Sequence, residues 1–269
     1  AEVVGETSWG AVLSAGTGDN MGAALGLGLR DDDVVVSIGT SGTAYAVTAK
    51  PAADPTGLVA GFADATGKFL PLVATVNAAR VLDVTARLLG VDATGFSALA
   101  LAASPGADGL TLLPYLDGER SPNRPSANGV LRGLTSANTT PSNLARAAVE
   151  AVLCSLADAI DYLRACGITP GRVVLIGGAA RSAAVRALAP GVFGMPVTVP
   201  EAAEYVALGA ARQAAWALAA SSSAGGGPGA AVLPDWPART AETYEGAPVP
   251  GVRERYAALR DDAAAWRPG

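Results

Sequence analysis

The chain has 269 residues, half of them apolar, and 24 acidic side chains against 19 basic ones give a net charge of −5. That length accommodates one large domain or two small ones with a sizeable core, and that charge leaves no electrostatic footprint for nucleic acid. Histidine is absent, which excludes His-based triads, His metal sites and His acid–base chemistry within the chain.

Lys50 and Lys68 are the only lysines. An anionic ligand would therefore be held mostly by backbone N–H groups and a metal ion. Cys154 and Cys166 form no CxxC spacing and read as buried thiols of a reducing compartment. No unbroken apolar run is long enough to span a bilayer. The start, AEVVGETSWG, lacks the pattern of a secretory signal. A cytoplasmic location without membrane partners is the expectation. Abundant Ala and Gly with few aromatics predict helices packed closely on small side chains.

Residues 1–13 close on a short apolar run, Ala11-Val12-Leu13. The next stretch, SAGTGDNMGAALGLGL (Ser14 to Leu29), reads as a Gly-rich bend entering a small-residue helix. Asp19 is its only carboxylate, and Ala15, Gly16, Gly18 and Gly22 leave room for a substrate beside it. At a helix start the dipole and free N–H groups favour the ionised form. Spacing alone favours Asp19 as a helix cap, and a chemical role needs support from the rest of the chain.

Val34 to Ile38 reads as a buried strand, Gly39-Thr40-Ser41-Gly42 as a turn and Thr43 to Thr48 as a second strand, together a β-hairpin. The turn's amides and hydroxyls suit phosphate oxygens, although an ordinary hairpin turn is the simpler reading and no P-loop is present. Leu58–Phe62 and Phe69–Val73 are strand-like. Val76–Leu89 has helical spacing and stops at Gly90, and Phe96–Ala103 is a short helix. Residues 109–133 are loop-rich around a strand-like Leu110–Leu113. There Asp117 and Glu119 beside Arg120 read as structural, through a surface salt bridge or an ordered loop. Thr140-Pro141 opens the longest helix with a hydroxyl cap and a first-turn proline, and Gly167 ends it.

Arg172–Ile176 is a second buried strand, running into Gly177-Gly178-Ala179. A flat ring or ribose could lie against that turn, and a plain strand-to-helix turn is the competing reading. GxGxxG is not satisfied, so a dinucleotide fingerprint is unsupported. Ser182 can cap a helix to about Val192, Val197–Val199 is a strand and Tyr205–Leu218 a final helix. Ser221–Gly229 reads as a flexible linker, and residues 230–269 as a tail with one helix near Val252–Trp266. Early strands followed by alternating helix and strand predict an α/β layer fold, with glycines at the strand ends where such folds bind ligands.

Individually weak, these motifs stand in an informative order, that of the second half of an actin-like nucleotide fold. From about Ser14 to Leu218 the chain resembles the FGGY carbohydrate kinases, and most closely their xylulokinase branch. AGTGDN (15–20) matches the segment bearing the family's catalytic Asp, and SIGTSGT (37–43) its phosphate-binding hairpin. GLTLLPYLDGERSPN (109–123) with GVLRGLT (129–135) matches the region that most separates xylulokinases from glycerol kinases. VLIGGAARS (174–182) matches the adenosine motif and EYVALGAARQAA (204–215) the closing helix.

The resemblance implies an α/β, actin-like ATPase (ribonuclease H-like) domain over residues 1–219, the second domain of a two-domain sugar kinase, with a linker and variable tail at 220–269. It implies ATP with Mg2+, and phosphorylation of a ketopentose, D-xylulose to D-xylulose 5-phosphate. Asp19 is then the general base and Asn20 touches the sugar. Thr40 and Gly42 face the phosphates, Asn77 lines the nucleotide pocket, and Gly177, Gly178 and Ser182 face adenosine and ribose. No side chain is assigned to the metal. The same resemblance implies a first kinase domain outside these residues, weak activity without it, and a homodimer as one assembly. A non-catalytic sugar or nucleotide sensor, or a truncated scaffold, is the alternative, with ribulose or gluconate as other substrates among enzymes. Two positions depart from the pattern: Ala179 replaces a common third glycine, and Leu208 a common acidic residue.

Overall fold

The computed structural model describes residues 3–30, 33–222, 233, 236–237 and 240–264. A small hairpin, β1 (Val3–Glu6) and β2 (Val12–Ser14), leads into α1 (Asp19–Leu27). The central hairpin β3 (Asp33–Ile38) and β4 (Gly42–Ala46) follows, then β5 (Ala60–Ala63), β6 (Phe69–Thr75), α2 (Ala79–Leu88) and α3 (Ala93–Ala102). A short antiparallel pair, β7 (Thr111–Leu113) and β8 (Val130–Arg132), precedes the long α4 (Pro141–Ala165). The chain closes with β9 (Arg172–Ile176), α5 (Ala183–Phe193), β10 (Val197–Pro200), α6 (Tyr205–Ser222), β11 (Ala241–Tyr244) and α7 (Val252–Ala264).

Seven strands form one mixed sheet in the order β11-β10-β9-β3-β4-β6-β5. β10, β9 and β3 run parallel, and the remaining pairings are antiparallel. The unbroken Val34-Val35-Val36 run has its explanation here, because both faces of β3 are covered. Val34, Val36 and Ile38 join the main core with Val173, Leu175 and the buried face of α4. Val35, Tyr45 and Val174 point the other way, into a second cluster with Ala24 of α1. At the rim of the sheet Asp33, almost fully buried, takes a bidentate pair from Arg172, with Nε 2.5 Å from Oδ1 and Nη2 3.1 Å from Oδ2, tying β3 to β9.

Helix α4 starts as the sequence predicts. The Thr140 hydroxyl accepts from the Asn143 amide at 3.2 Å, and Pro141 occupies the first turn. Loss of such a cap costs about 1 kcal/mol. Helix α2 begins three residues later than its apolar spacing suggests. Ala78 interrupts it, as a non-helical N-cap with φ −142° and ψ −110°, while the Val76 amide, at 2.6 Å, and the Asn77 amide, at 3.4 Å, donate to the Glu119 carboxylate ahead of the helix. Helix α3 begins earlier than expected because the Asp92 side chain accepts from Gly95 N at 2.8 Å.

Small side chains set the approach of α1 and α6. A Cβ on Gly26 would stand 2.1 Å from the Tyr205 carbonyl oxygen, and one on Gly209 1.8 Å from the Gly22 carbonyl oxygen. The two backbones therefore touch, which only glycine permits. Arg212 on α6 donates to the Leu25 carbonyl at 2.8 Å, near the end of α1 where cations are favoured, and Gln213 donates to Gly16 at 3.1 Å.

The tail read as variable is built into the packed body. β11 pairs with β10 over four residues, and Val252, Tyr256 and Leu259 of α7 lie in the main core. Asp158 of α4 meets both Arg253 and Arg260 of α7. The boundary expected after residue 219 thus does not mark the edge of the fold. Periodicity missed this because a four-residue edge strand carries little pattern of its own. The expected linker, Ser221–Gly229, lies almost wholly outside the described residues. Among the described residues no single helix is long and apolar enough to cross a membrane.

Candidate active site

An open cleft of about 1060 Å³ lies at one end of the sheet. Its position follows from the topology. β3 and β9 are parallel neighbours, with Ser37 opposite Ile176, so their carboxyl ends and the turns after them sit together. Gly177 makes that junction possible: its φ is +91°, and a Cβ there would stand 2.6 Å from the Ile38 carbonyl oxygen. Gly178 differs, since a Cβ there would meet nothing within 4 Å. It leaves a stretch of cleft wall bare.

Asp19 and Asn20 enter the same cleft from the first turn of α1. The competing reading of Asp19 as a cap fails on geometry. Gly18 is the N-cap, with extended φ and ψ, and Asp19 is the first helical residue. Its carboxylate is exposed, and Oδ1 accepts from the Asn20 amide at 2.8 Å and from Asn20 Nδ2 at 3.0 Å. Among the described residues Oδ2 receives no hydrogen bond. Asn20 thus fixes one oxygen and leaves the other open to the cleft. Tyr45 lies beneath them, fully buried, and its hydroxyl has no partner among the described residues. Burial, and secondarily the charge of Asp19, push that hydroxyl's pKa up.

The cleft gathers Asp19, Asn20, Gly177 and Gly178, and its lining does not include Thr40, Gly42, Asn77 or Ser182. Thr40 is exposed at the tip of the β3–β4 turn. Gly42 is required for packing: a Cβ there would fall 2.7 Å from Thr75 Oγ1 and 2.9 Å from a Leu156 methyl. Asn77 is wholly buried, donating to the Gly118 carbonyl at 2.6 Å and Glu119 Oε2 at 3.0 Å while accepting from the Leu116 amide at 3.1 Å. Its side chain thus holds the 116–119 segment, and the contact to the β3–β4 turn is made by Ala79 N, at the start of α2, which donates to Gly39 O at 2.9 Å. Ser182 caps α5, accepting from Val185 N at 3.4 Å. Of the acidic pair, Asp117 makes an exposed bridge to Arg80 at 2.6 Å, and Glu119, buried with no ion-pair partner among the described residues, is satisfied by backbone and Asn77 donors. Both are structural, as the sequence suggests.

The sequence reading missed the opposite wall. It is formed by Arg186 of α5, residues 201–204 before α6, Tyr205 at its start, and Thr240, Ala241 and Glu242 at β11. Alternation around Tyr45 was visible in the sequence, but nothing in it pairs residue 186 with residue 242. Among the described residues no group of three His, Cys, Asp or Glu converges on a metal position. The cleft carboxylates, Asp19, Glu201, Glu204 and Glu242, are dispersed along the wall. That donor set suits a magnesium ion carried on phosphates and water rather than a cage of protein ligands.

The model described as "FGGY family of carbohydrate kinases, C-terminal domain" matches residues 34–218. The chain belongs to this family. It is 49% identical over 218 residues to a xylulose kinase of Streptomyces coelicolor, covering 81% of this chain and 44% of that one. A xylulose kinase of Streptomyces rubiginosus is 49% identical over 212 residues, 78% of this chain and 42% of that one. The crystal structure of xylulose kinase from Bifidobacterium adolescentis superposes with a TM-score of 0.83 at 48% identity, over 94% of this chain and 48% of that chain. The fold is accordingly the actin-like α/β fold of the sugar kinases. The chain spans under half the length of the curated relatives it matches.

Proposed function

We propose that this chain is the nucleotide-binding and catalytic-base half of an ATP-dependent xylulose kinase. The observation that carries the reading is the meeting of Asp19 with Gly177 and Gly178 in one cleft at the carboxyl ends of β3 and β9. The xylulose kinases it resembles at near half identity supply the sugar.

In this reading the free Asp19 Oδ2 accepts the proton of the sugar hydroxyl as that oxygen attacks the γ-phosphorus. Asn20 holds the other carboxylate oxygen, so the base keeps one orientation. Phosphoryl transfer is mainly positioning and charge stabilisation, and a general base contributes about 10²- to 10⁴-fold. The nucleotide lies along the wall that Gly178 leaves bare. Thr40 and Ser41 at the exposed turn serve the phosphates from the rim, and Ser182 acts through the position of α5. Mg2+ bound to the phosphates would supply charge neutralisation, and Asp19 is the carboxylate that α1 brings to the cleft. A first kinase domain, supplying further sugar contacts, completes the cleft. The sugar, ATP and this domain are the partners proposed, in a cytoplasmic enzyme.

The test is sugar-dependent ADP release from MgATP by the longest natural polypeptide containing this chain, with D-xylulose, D-ribulose, gluconate and glycerol. Preference for D-xylulose, reduced at least 10²-fold in Asp19→Asn with nucleotide affinity kept, is the expected result. Full turnover by Asp19→Asn would refute the base. MgATP binding without any sugar-dependent turnover would favour a sensor.

A further inference from the structure

Away from the cleft, a second cavity of about 10 Å³ lies between β7, α4 and α7. A volume of that order has room for one water and nothing larger. Much of its wall is hydrocarbon, and Glu150 of α4, Arg255 of α7 and Thr111 of β7 interrupt it. The hydrogen bonds of these groups are incomplete. The buried Glu150 carboxylate accepts at Oε1 from Arg146 Nε at 2.8 Å and from the Gly106 amide at 2.9 Å, while Oε2 receives no hydrogen bond among the described residues. Arg255 Nη2 donates to the Gly106 carbonyl at 3.4 Å, and its Nε is buried with no partner among the described residues. Gly106 thus engages the carboxylate through its N–H and the guanidinium through its C=O, which brings the two charges to one residue. Glycine allows this approach, because φ is +80° and a Cβ would stand 2.3 Å from Arg255 Nη2. Among the described residues no salt bridge joins Arg255 to Glu150, whose ion pair is with Arg146. A buried donor left without an acceptor is costly, and so is a buried carboxylate oxygen left without a donor.

We propose that this cavity binds one ordered water, which accepts from Arg255 Nε and donates to Glu150 Oε2. The two charges sort the occupant: a cation would be set against Arg255, an anion against Glu150, and a larger neutral molecule exceeds the volume. Water is the neutral species of that size that both accepts from a guanidinium and donates to a carboxylate. Its second proton goes to Thr111 Oγ1, whose own bond to the Gly109 carbonyl is long at 3.5 Å. The water then makes three hydrogen bonds, the usual number for a buried one. A bridge of this kind is nearly as favourable as a direct hydrogen bond. It fastens the first turn of α7 to the middle of α4, so the closing segment that follows β11 is held by a hydrated ion pair as well as by apolar contact. The site stands apart from the cleft and does not depend on what the cleft binds.

Two measurements on the full 269-residue chain test the site. A high-resolution crystal structure should show one water peak within about 2.7–3.2 Å of both Arg255 Nε and Glu150 Oε2. A double-mutant cycle in urea denaturation pairs Thr111→Val, which keeps the side-chain shape and removes the hydroxyl, with Arg255→Met, which keeps the stem and removes the donor. No hydrogen bond links Thr111 to Arg255 among the described residues, so coupling between them reports the bridging water. Each single variant should raise the unfolding constant by about tenfold, the order expected for a hydrogen bond in a charged network. The double variant should fall short of the product of the two by at least about threefold, as for residues that share a network. An empty cavity, or a direct contact between Arg255 and Glu150 in its place, would overturn the site. Two effects that simply multiply in the double variant would overturn it as well.

Discussion

Gly209→Ala tests how the base-bearing helix is held. The new Cβ would stand 1.8 Å from the Gly22 carbonyl oxygen. An ordinary carbon–oxygen contact needs roughly 3.4 Å, so α1 and α6 must part by ~1.5 Å. The obstacle is main chain, and no rotamer change can relieve it. Overpacking of this kind costs about 1–3 kcal/mol, and the better helix propensity of alanine returns about 1 kcal/mol. Full separation of two backbones lies at the costly end, which leaves a net loss of about 2 kcal/mol. In a domain of this size that lowers Tm by roughly 4–8 °C. The separation also moves Asp19, at the start of α1, and a displacement near 1 Å can reduce turnover about 10²-fold. Urea denaturation of the chain measures the first effect, and sugar-dependent ADP release by the longest natural polypeptide measures the second. Gly178→Ala is the control, because its Cβ enters open space and should change stability by less than about 0.5 kcal/mol. A Gly209→Ala chain as stable as wild type would refute the argument that backbone contact sets this helix pair.

Tyr45→Phe removes a buried hydroxyl with no partner among the described residues and should raise stability by about 1 kcal/mol in urea denaturation; a loss of that size would mean the hydroxyl is paired in solution. Glu119→Ala strands the Val76, Asn77 and Arg120 amides and the Asn77 side chain, and should cost at least about 3 kcal/mol, with Glu119→Gln recovering part of it by the same denaturation assay. Burial pushes the thiols of Cys154 and Cys166 up, the former strongly, so a disulfide reagent at pH 8 should titrate no more than the slow, partly exposed Cys166 in the native chain and both thiols in denaturant.

Much of this molecule was legible because local physics wrote it into short stretches. The Val34–Ile38 run could only be a strand covered on both faces, Thr140-Pro141 could start a helix with its own hydroxyl, and Ser182 could do the same for α5. Asp19 was visible as the lone carboxylate in a stretch of small residues. Its standing as the first helical residue rather than the cap depended on the backbone angles of Gly18, which no pattern encodes. Asn77 and Gly42 show the opposite limit. Both follow strands at positions suited to a ligand, yet neither lines the cleft: Asn77 is consumed by Glu119 and Gly118, and Gly42 makes room for Leu156. These partners lie 41 to 114 residues away in sequence.

The sequence alone thus determined the elements with strong period, cap or turn chemistry, and through the order of five motifs it pointed to the family. Only the tertiary structure decided which turns share a cleft, that α1 rests on α6 through bare backbone, and that β11 completes the sheet beside β10. The physical reason is range. Periodicity, capping and turn preference act over a few residues, whereas a cleft wall joining Gly178, Arg186 and Glu242 exists only after the sheet has brought distant strands into register.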